Sequence, residues 1–154
     1  MKKYKLYSPI EGDIKDITNV SDPVFAEKMV GDGIAIIPKA KVICSPCDGV
    51  INHIFKTNHA LTIMNDGVEV LMHLGIDTVE LEGAGFKRLI TGEKIAVKKG
   101  QPLIEMDLDY IKSQNKETDI ILLVTDDEKV YKIKKLIQNN VTYDDLVMTY
   151  KVKK

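Results

Sequence analysis

Hydrophobic and polar positions alternate with a period of two along most of this chain, the pattern of strands that bury one face. Val50 to Phe55, Leu61 to Met64, Val68 to Leu74, Pro102 to Met106, Ile120 to Val124 and Val147 to Val152 each read as a short strand. Glycines and Asp-Gly signals punctuate many of them. Helical periodicity is scarce. Asp22-Pro23-Val24-Phe25-Ala26-Glu27-Lys28-Met29 suits one or two turns, with Asp22 as N-cap and Pro23 at the first helical position. Asp107 to Lys112 suits another turn or two, and Lys129 to Ile137 fits strand and helix equally. Many short strands with turn punctuation predict an all-β fold: an antiparallel β-sandwich or barrel with one or two short helical turns.

A short internal echo supports that picture. Ser8-Pro9-Ile10-Glu11-Gly12-Asp13-Ile14 recurs as Ser45-Pro46-Cys47-Asp48-Gly49-Val50-Ile51. Each copy offers a Pro-initiated turn, a Gly able to take positive φ, and a strand leading away. Either it is a quasi-symmetric pair of turns in one sandwich, or good turn chemistry used twice by chance.

Composition changes the picture mainly by exclusion. The 154 residues are 44% hydrophobic and 29% charged, ordinary globular values, and suffice for one compact domain. A net charge of −1 with scattered lysines argues against a nucleic-acid partner. No apolar run approaches the ~20 residues of a spanning helix, so no membrane insertion is expected. Met1-Lys2-Lys3-Tyr4-Lys5-Leu6 has a charged opening but no apolar stretch after it, which argues against a secretory signal and for a cytoplasmic protein. Cys44 and Cys47 form a lone Cys-x-x-Cys around Ser45-Pro46. A structural zinc site needs four ligands, and a strand pattern rather than a helix follows the pair, so two small apolar residues beside a turn is the favoured reading.

Candidate chemistry lies in the histidines. His59 and His73 flank a strand, Asn65-Asp66-Gly67, and a second strand. A three-residue loop with Gly67 in the left-handed position pairs Met64 with Val68 and, counting outward, His59 with His73. A two-residue Asp-Gly loop would set His73 opposite Ala60 instead. On the first register Leu61 and Leu71 share the histidine face, an apolar patch suited to docking partners, while Met72 and Leu74 point away. Facing histidines can also be an accident of the surface, two of three zinc ligands, or satisfied core residues. A neutral imidazole with a reference pKa of ~6.5 is a competent nucleophile near neutral pH. If a carbonyl holds its Nδ1–H, Nε2 presents a lone pair. Phosphoryl transfer asks mainly for positioning and charge stabilisation, which two imidazoles can supply.

The run Ser21-Asp22-Pro23-Val24-Phe25-Ala26-Glu27-Lys28-Met29-Val30-Gly31-Asp32-Gly33, then Ser45-Pro46-Cys47-Asp48-Gly49, Thr57-Asn58-His59-Ala60 and His73-Leu74-Gly75-Ile76-Asp77-Thr78-Val79 resembles the glucose-type enzyme IIA family. That family belongs to the bacterial phosphoenolpyruvate-dependent sugar phosphotransferase system. The resemblance extends from Tyr7 to the Lys-rich C-terminus, so residues 1–154 are expected to form one IIA phosphocarrier domain. It implies a β-sandwich in which His73 accepts a phosphoryl group at Nε2 from the phosphohistidine of HPr. The group then passes to a cysteine on the IIB domain of a sugar permease. It makes His59 the second histidine, contacting the phosphoryl group, Thr57 a hydroxyl beside it, and Gly75 the carbonyl that holds His73. Asp22 and Asp77 correspond to positions that meet basic partner residues, and Val24, Phe25 and Phe55 to apolar docking positions, with Leu71 joined to them by the strand register. The family's histidine pair also binds zinc when a regulatory partner supplies a carboxylate, but no cofactor is required. A monomer is expected. His53 matches no functional position.

The sequence departs from the family in lacking the longer N-terminal segment of some relatives, so no membrane-surface role for one is expected. The hairpin turn is a residue shorter, Asp119-Ile120 replaces a common Pro, and Cys44 and Cys47 stand where cysteine is unusual. Two other classes compete. A β-rich zinc hydrolase would take His59, His73 and a third ligand such as Asp77. A biotinyl- or lipoyl-type carrier is suggested by the Ser-Pro-x-x-Gly turns and Val97-Lys98-Lys99-Gly100, but has no convincing lysine at a hairpin tip.

Overall fold

The alternating segments assemble, in a computed structural model that describes residues 2–125 and 127–153, into three antiparallel sheets. Strands are numbered in chain order. The largest sheet runs β2 (Gly12–Asp16), β3 (Gly31–Pro38), β11 (Glu117–Thr125), β7 (Val68–Ile76), β6 (Ala60–Asn65), β5 (Gly49–Ile54) and β9 (Ala96–Val97). One three-stranded sheet is β1 (Lys2–Tyr7), β13 (Leu146–Val152) and β12 (Val130–Lys135). The other is β4 (Val42–Cys44), β10 (Pro102–Met106) and β8 (Phe86–Arg88). Of the two α-helices of the described residues, α1 (Pro23–Ala26) begins at the predicted N-cap, and α2 (Leu108–Ser113) falls on the segment expected over Asp107 to Lys112, with Asp107 as a cap the sequence reading did not name. Asp22 accepts from Val24 N and Asp107 from Tyr110 N. The segment 129–137 resolves as strand, in β12.

Alternation along β7 explains the layering. Val68, Val70, Met72 and Leu74 join Ile34, Ile36, Ile120, Leu122 and the apolar residues of the two small sheets in the main core. Leu71 points the other way. There it meets Ala35, Ile121 and Leu123, and these are covered by Ile17, Val20 and Phe25 from the segment between β2 and β3. The centre of the large sheet is therefore buried on both faces, which is why Ile120 to Val124 is continuously apolar. Phe25 is 6% exposed, and its burial is worth roughly 2–3 kcal/mol. It ties the α1 segment to the sheet beside His73.

The hairpin between β6 and β7 takes the shorter of the two possible turns. Asn65 pairs with Val68, so Met64 faces Glu69 and Ala60 faces His73; the three-residue register is incorrect. Asp66 (φ 51) and Gly67 (φ 85) both occupy the left-handed region, as a two-residue type I′ turn requires. Leu61 is consequently opposite Met72 in the main core, not on the face of His73.

The sequence echo is a symmetric pair of turns. Ser8 Oγ donates to Ile10 O and Ser45 Oγ to Cys47 O, each across two residues. The turns also exchange backbone bonds, Tyr7 N to Pro46 O at 2.9 Å and Cys44 N to Pro9 O at 2.8 Å. Gly12 and Gly49 are not at positive φ, contrary to expectation. They are needed because a Cβ would lie 2.1 Å from Ile37 O at the first and 2.6 Å from Met64 O at the second.

Candidate functional site

His73 lies two residues before a bend that the chain builds with Gly75. The φ of +84 at Gly75 kinks β7 one residue before its end, where its pairing with β11 is irregular, and a Cβ there would sit 2.5 Å from Thr78 Cγ2 and 2.9 Å from Glu117 O. The bend turns the Gly75 carbonyl back onto His73 Nδ1 at 2.7 Å. A carbonyl only accepts, so Nδ1 carries the proton and Nε2 of the neutral ring holds its lone pair outward from that bond. Thr78 Oγ1 donates to Leu74 O at 2.6 Å and pins the same bend.

His59 reaches His73 by a route different from direct cross-strand pairing. It precedes the first residue of β6, and its carbonyl accepts from Leu74 N at 2.7 Å. Strict alternation would send its ring to the side of Leu74. The left-handed Asn58 (φ 57) ends the strand there, and the ring instead lies 5.1 Å from that of His73 at an interplanar angle of 78°. Thr57 Oγ1 is hydrogen-bonded to His59 Nδ1. Both imidazoles thus have Nδ1 engaged two residues away along the chain, leaving both Nε2 atoms for a ligand.

The electrostatics keep the pair neutral. Burial, followed by the repulsion of His73, lowers His59 from 6.5 to about 4, and its residue is only 5% exposed. Burial also lowers His73, partly countered by the Gly75 carbonyl and by the charges of Asp22 and Asp77. These opposing influences come from groups that favour an imidazolium at His73. Asp22 holds its carboxylate as the α1 cap, whereas Asp77 (φ 58) makes no side-chain capping bond.

Apolar groups surround the pair. Phe25 packs 5.0 Å from the His73 ring and Phe55 5.5 Å from that of His59. Leu71 lines the buried side, while Val24 (43% exposed) and Phe55 (38%) present apolar surface. The fold therefore gathers Asp22, Val24, Phe25, Phe55, Thr57, His59, Leu71, His73, Gly75 and Asp77 about one surface. One neighbour escaped the sequence reading. His53, set aside earlier, lies in β5 with its ring 4.9 Å from that of Phe55, just past the strand's end.

Among the described residues no group of three or more His, Cys, Asp or Glu is placed to hold a metal ion, so a self-contained zinc hydrolase site is not present. Cys44 and Cys47 are free and buried. Burial pushes the Cys47 thiol up to about 12 and raises that of Cys44. They behave as small apolar residues. No helix of the described residues is long and apolar enough to cross a membrane.

Residues 4–130 match the family model described as phosphoenolpyruvate-dependent sugar phosphotransferase system, EIIA 1. The chain is 45% identical over 131 residues to the glucose-specific EIIA component of Buchnera aphidicola subsp. Baizongia pistaciae, spanning 84% of this chain and 77% of that protein. It is 46% identical over 121 residues to the glucose-specific EIICBA component of Staphylococcus carnosus, 78% of this chain but 18% of that relative. The solved structure of glucose permease IIA from Mycoplasma capricolum superposes with a TM-score of 0.89 at 32% identity, covering 97% of this chain and 96% of the other.

Proposed function

We propose a function from one premise: the chain belongs to the EIIA 1 family of the phosphoenolpyruvate-dependent sugar phosphotransferase system, and is a phosphotransferase component of it. On this reading it is a phosphoryl carrier acting in the cytoplasm. His73 Nε2 attacks the phosphorus of phosphohistidine on HPr; a new N–P bond forms as the donor's N–P bond breaks, and the electron pair returns to the donor imidazole. The product at His73 keeps its proton on Nδ1, so the phosphorylated ring is an imidazolium. The Gly75 carbonyl at 2.7 Å supports that cation, and so do the charges of Asp22 and Asp77.

His59 plays the assisting part. Its Nδ1 is hydrogen-bonded to the Thr57 hydroxyl; we assign it the tautomer in which that hydroxyl donates, so that its own proton sits on Nε2, available to a phosphoryl oxygen. A thiolate on the IIB domain of a sugar permease then takes the phosphoryl group from His73, and the neutral ring is restored. Fused EIICBA relatives named for glucose and for N-acetylglucosamine support a permease for such a sugar as the acceptor. Zinc has no part in this cycle; holding it would require a partner's carboxylate beside the two histidines.

The observation that carries the reading is the bond from His73 Nδ1 to Gly75 O beside a second imidazole. Incubation with phosphoenolpyruvate, enzyme I and HPr is expected to place one acid-labile phosphoryl group on His73. His73→Ala should take up none. His59→Gln should accept the group yet pass it on poorly. Label retained in His73→Ala but lost in His59→Ala reverses the two roles, and no label in the wild type ends the proposal.

A further inference from the structure

The histidine pair is one end of a longer run of rings. From His73 the centroids step 5.1 Å to His59, 5.5 Å to Phe55 and 4.9 Å to His53, so His53 lies at most 15.5 Å from His73. A standard interface buries about 800 Å² on each partner, a disc of roughly 16 Å radius. A protein centred on His73 therefore reaches His53. Beyond that ring the surface falls into a hollow of about 500 Å³ lined by His53, Ile54, Lys56, Asn58, Arg88 and Glu93. It adjoins a smaller pocket containing Asn52 and Lys94.

The charges in the hollow are unbalanced. Lys94 is spent on Asn52, donating to its backbone O and Oδ1 at 2.8 Å each. Arg88 and Lys56 are exposed, and neither forms an ion pair among the described residues; Glu93 is beyond ion-pair distance of both. The opposite side of the histidine pair is acidic, with Asp22 and Asp77 near enough to act on His73. The docking face is thus bipolar. Covering an unpaired arginine with a partner is costly unless the partner answers it with a carboxylate.

We propose that the hollow beside His53 receives an Asp or Glu side chain of the protein that docks over His73, with Arg88 and Lys56 as its receptors. Together with basic partner residues opposite Asp22 and Asp77, that contact fixes the partner's rotational setting on the site. The inference rests on the carrier reading above. It adds an acidic contact on the far side of Phe55, and assigns Arg88, Lys56 and His53 to the interface. Arg88 is suited to the contact because its planar fork matches a carboxylate.

The test measures second-order rates of phosphoryl uptake from phospho-HPr and of onward transfer to IIB, for wild type and for Arg88→Glu, Lys56→Glu and the double variant. At 50 mM salt the double variant is expected to lose at least tenfold in one or both half-reactions through a raised KM, with kcat little changed. The gap should close toward 500 mM salt. Arg88→Lys should recover most of the rate, and Glu93→Gln, which removes the hollow's own carboxylate, should quicken transfer. Unchanged melting temperatures exclude misfolding, since all three substituted positions are exposed. Rates within twofold of wild type in both half-reactions, or a loss that ignores salt, overturn the proposal. If wild-type His73 takes up no label, the carrier reading fails and takes this inference with it; if it labels normally while the variants match it, only the inference fails.

Discussion

Lowering the pH should cost this fold stability in a window set by His59. In the unfolded chain a histidine titrates near 6.5, but the buried His59 resists protonation until about 4. Above 6.5 the residue is neutral in both states and its contribution to folding is fully present. Between 6.5 and 4 the unfolded state binds a proton that the native state refuses, so the unfolded state gains. Below 4 both states are protonated and the loss levels off. A displacement of about 2.5 units corresponds to about 3 kcal/mol, a large share of the ~5–15 kcal/mol typical of a domain. The residue's 5% exposure means that little solvent screening reduces the figure. Urea unfolding of wild type and His59→Gln at half-unit steps from pH 8 to pH 4 isolates the effect. The glutamine does not titrate, so the difference between the profiles should fall by about 3 kcal/mol across that window, while carboxylate titrations common to both proteins cancel. Parallel profiles would refute the account, since a neutral, buried His59 cannot leave the unfolded state's proton uptake unanswered.

Gly75→Ala should destabilise the fold by about 1–3 kcal/mol, through a left-handed alanine and its contacts with Thr78 and Glu117. Because the displaced carbonyl is the one holding His73, phosphoryl uptake should fall with it; chemical denaturation and the labelling assay read the two effects separately, and normal uptake would detach Gly75 from the mechanism. Thr62 buries a hydroxyl that has no hydrogen-bond partner among the described residues, so Thr62→Val should raise stability by about 1 kcal/mol in a thermal melt. Cys44 and Cys47 should react with a water-soluble thiol reagent only at the rate of unfolding; fast native-state modification would contradict their buried, protonated state.

Local chemistry in the chain was legible wherever a few neighbouring residues decide the outcome. Asp22 announces α1 because an N-cap needs only a side chain and the next turn's N–H groups; Asp107 does the same for α2, where the sequence reading named only the segment. The meeting of His59 and His73 was foreseen by a register that proved one residue off. Asp66-Gly67 is a strong two-residue turn signal in its own right, and counting Asn65 into the loop overrode it. The rings meet because Asn58 ends the strand, an event invisible to a rule that assumes alternation continues. Long-range pairing was the least accessible part. Lys2 to Tyr7 reads as a charged opening, yet becomes β1 only by pairing with β13, more than 130 residues away. No local pattern carries that information. The glycines of the echo were recognised as necessary for the wrong reason, since a close carbonyl in a neighbouring strand leaves no trace in sequence.

The pairing of Lys2 with Val152 bears on how this domain could be tethered. It brings Lys2 and Val152 side by side, about 5 Å apart as neighbouring strands are. Tyr4 of that same sheet bonds to Asp66 at the β6–β7 tip, and β7 runs from that tip to His73 at the other end, five residues or roughly 17 Å beyond Val68. The molecule therefore holds its first and last strands at one pole and the histidine pair toward the other. A flexible tether engineered beside Lys2 or Val152 would leave the histidine pair uncovered and free to sweep a sphere set by the tether's length. Within that sphere the local supply of a tethered partner would reach the millimolar range typical of short flexible tethers, without any new contact at the site.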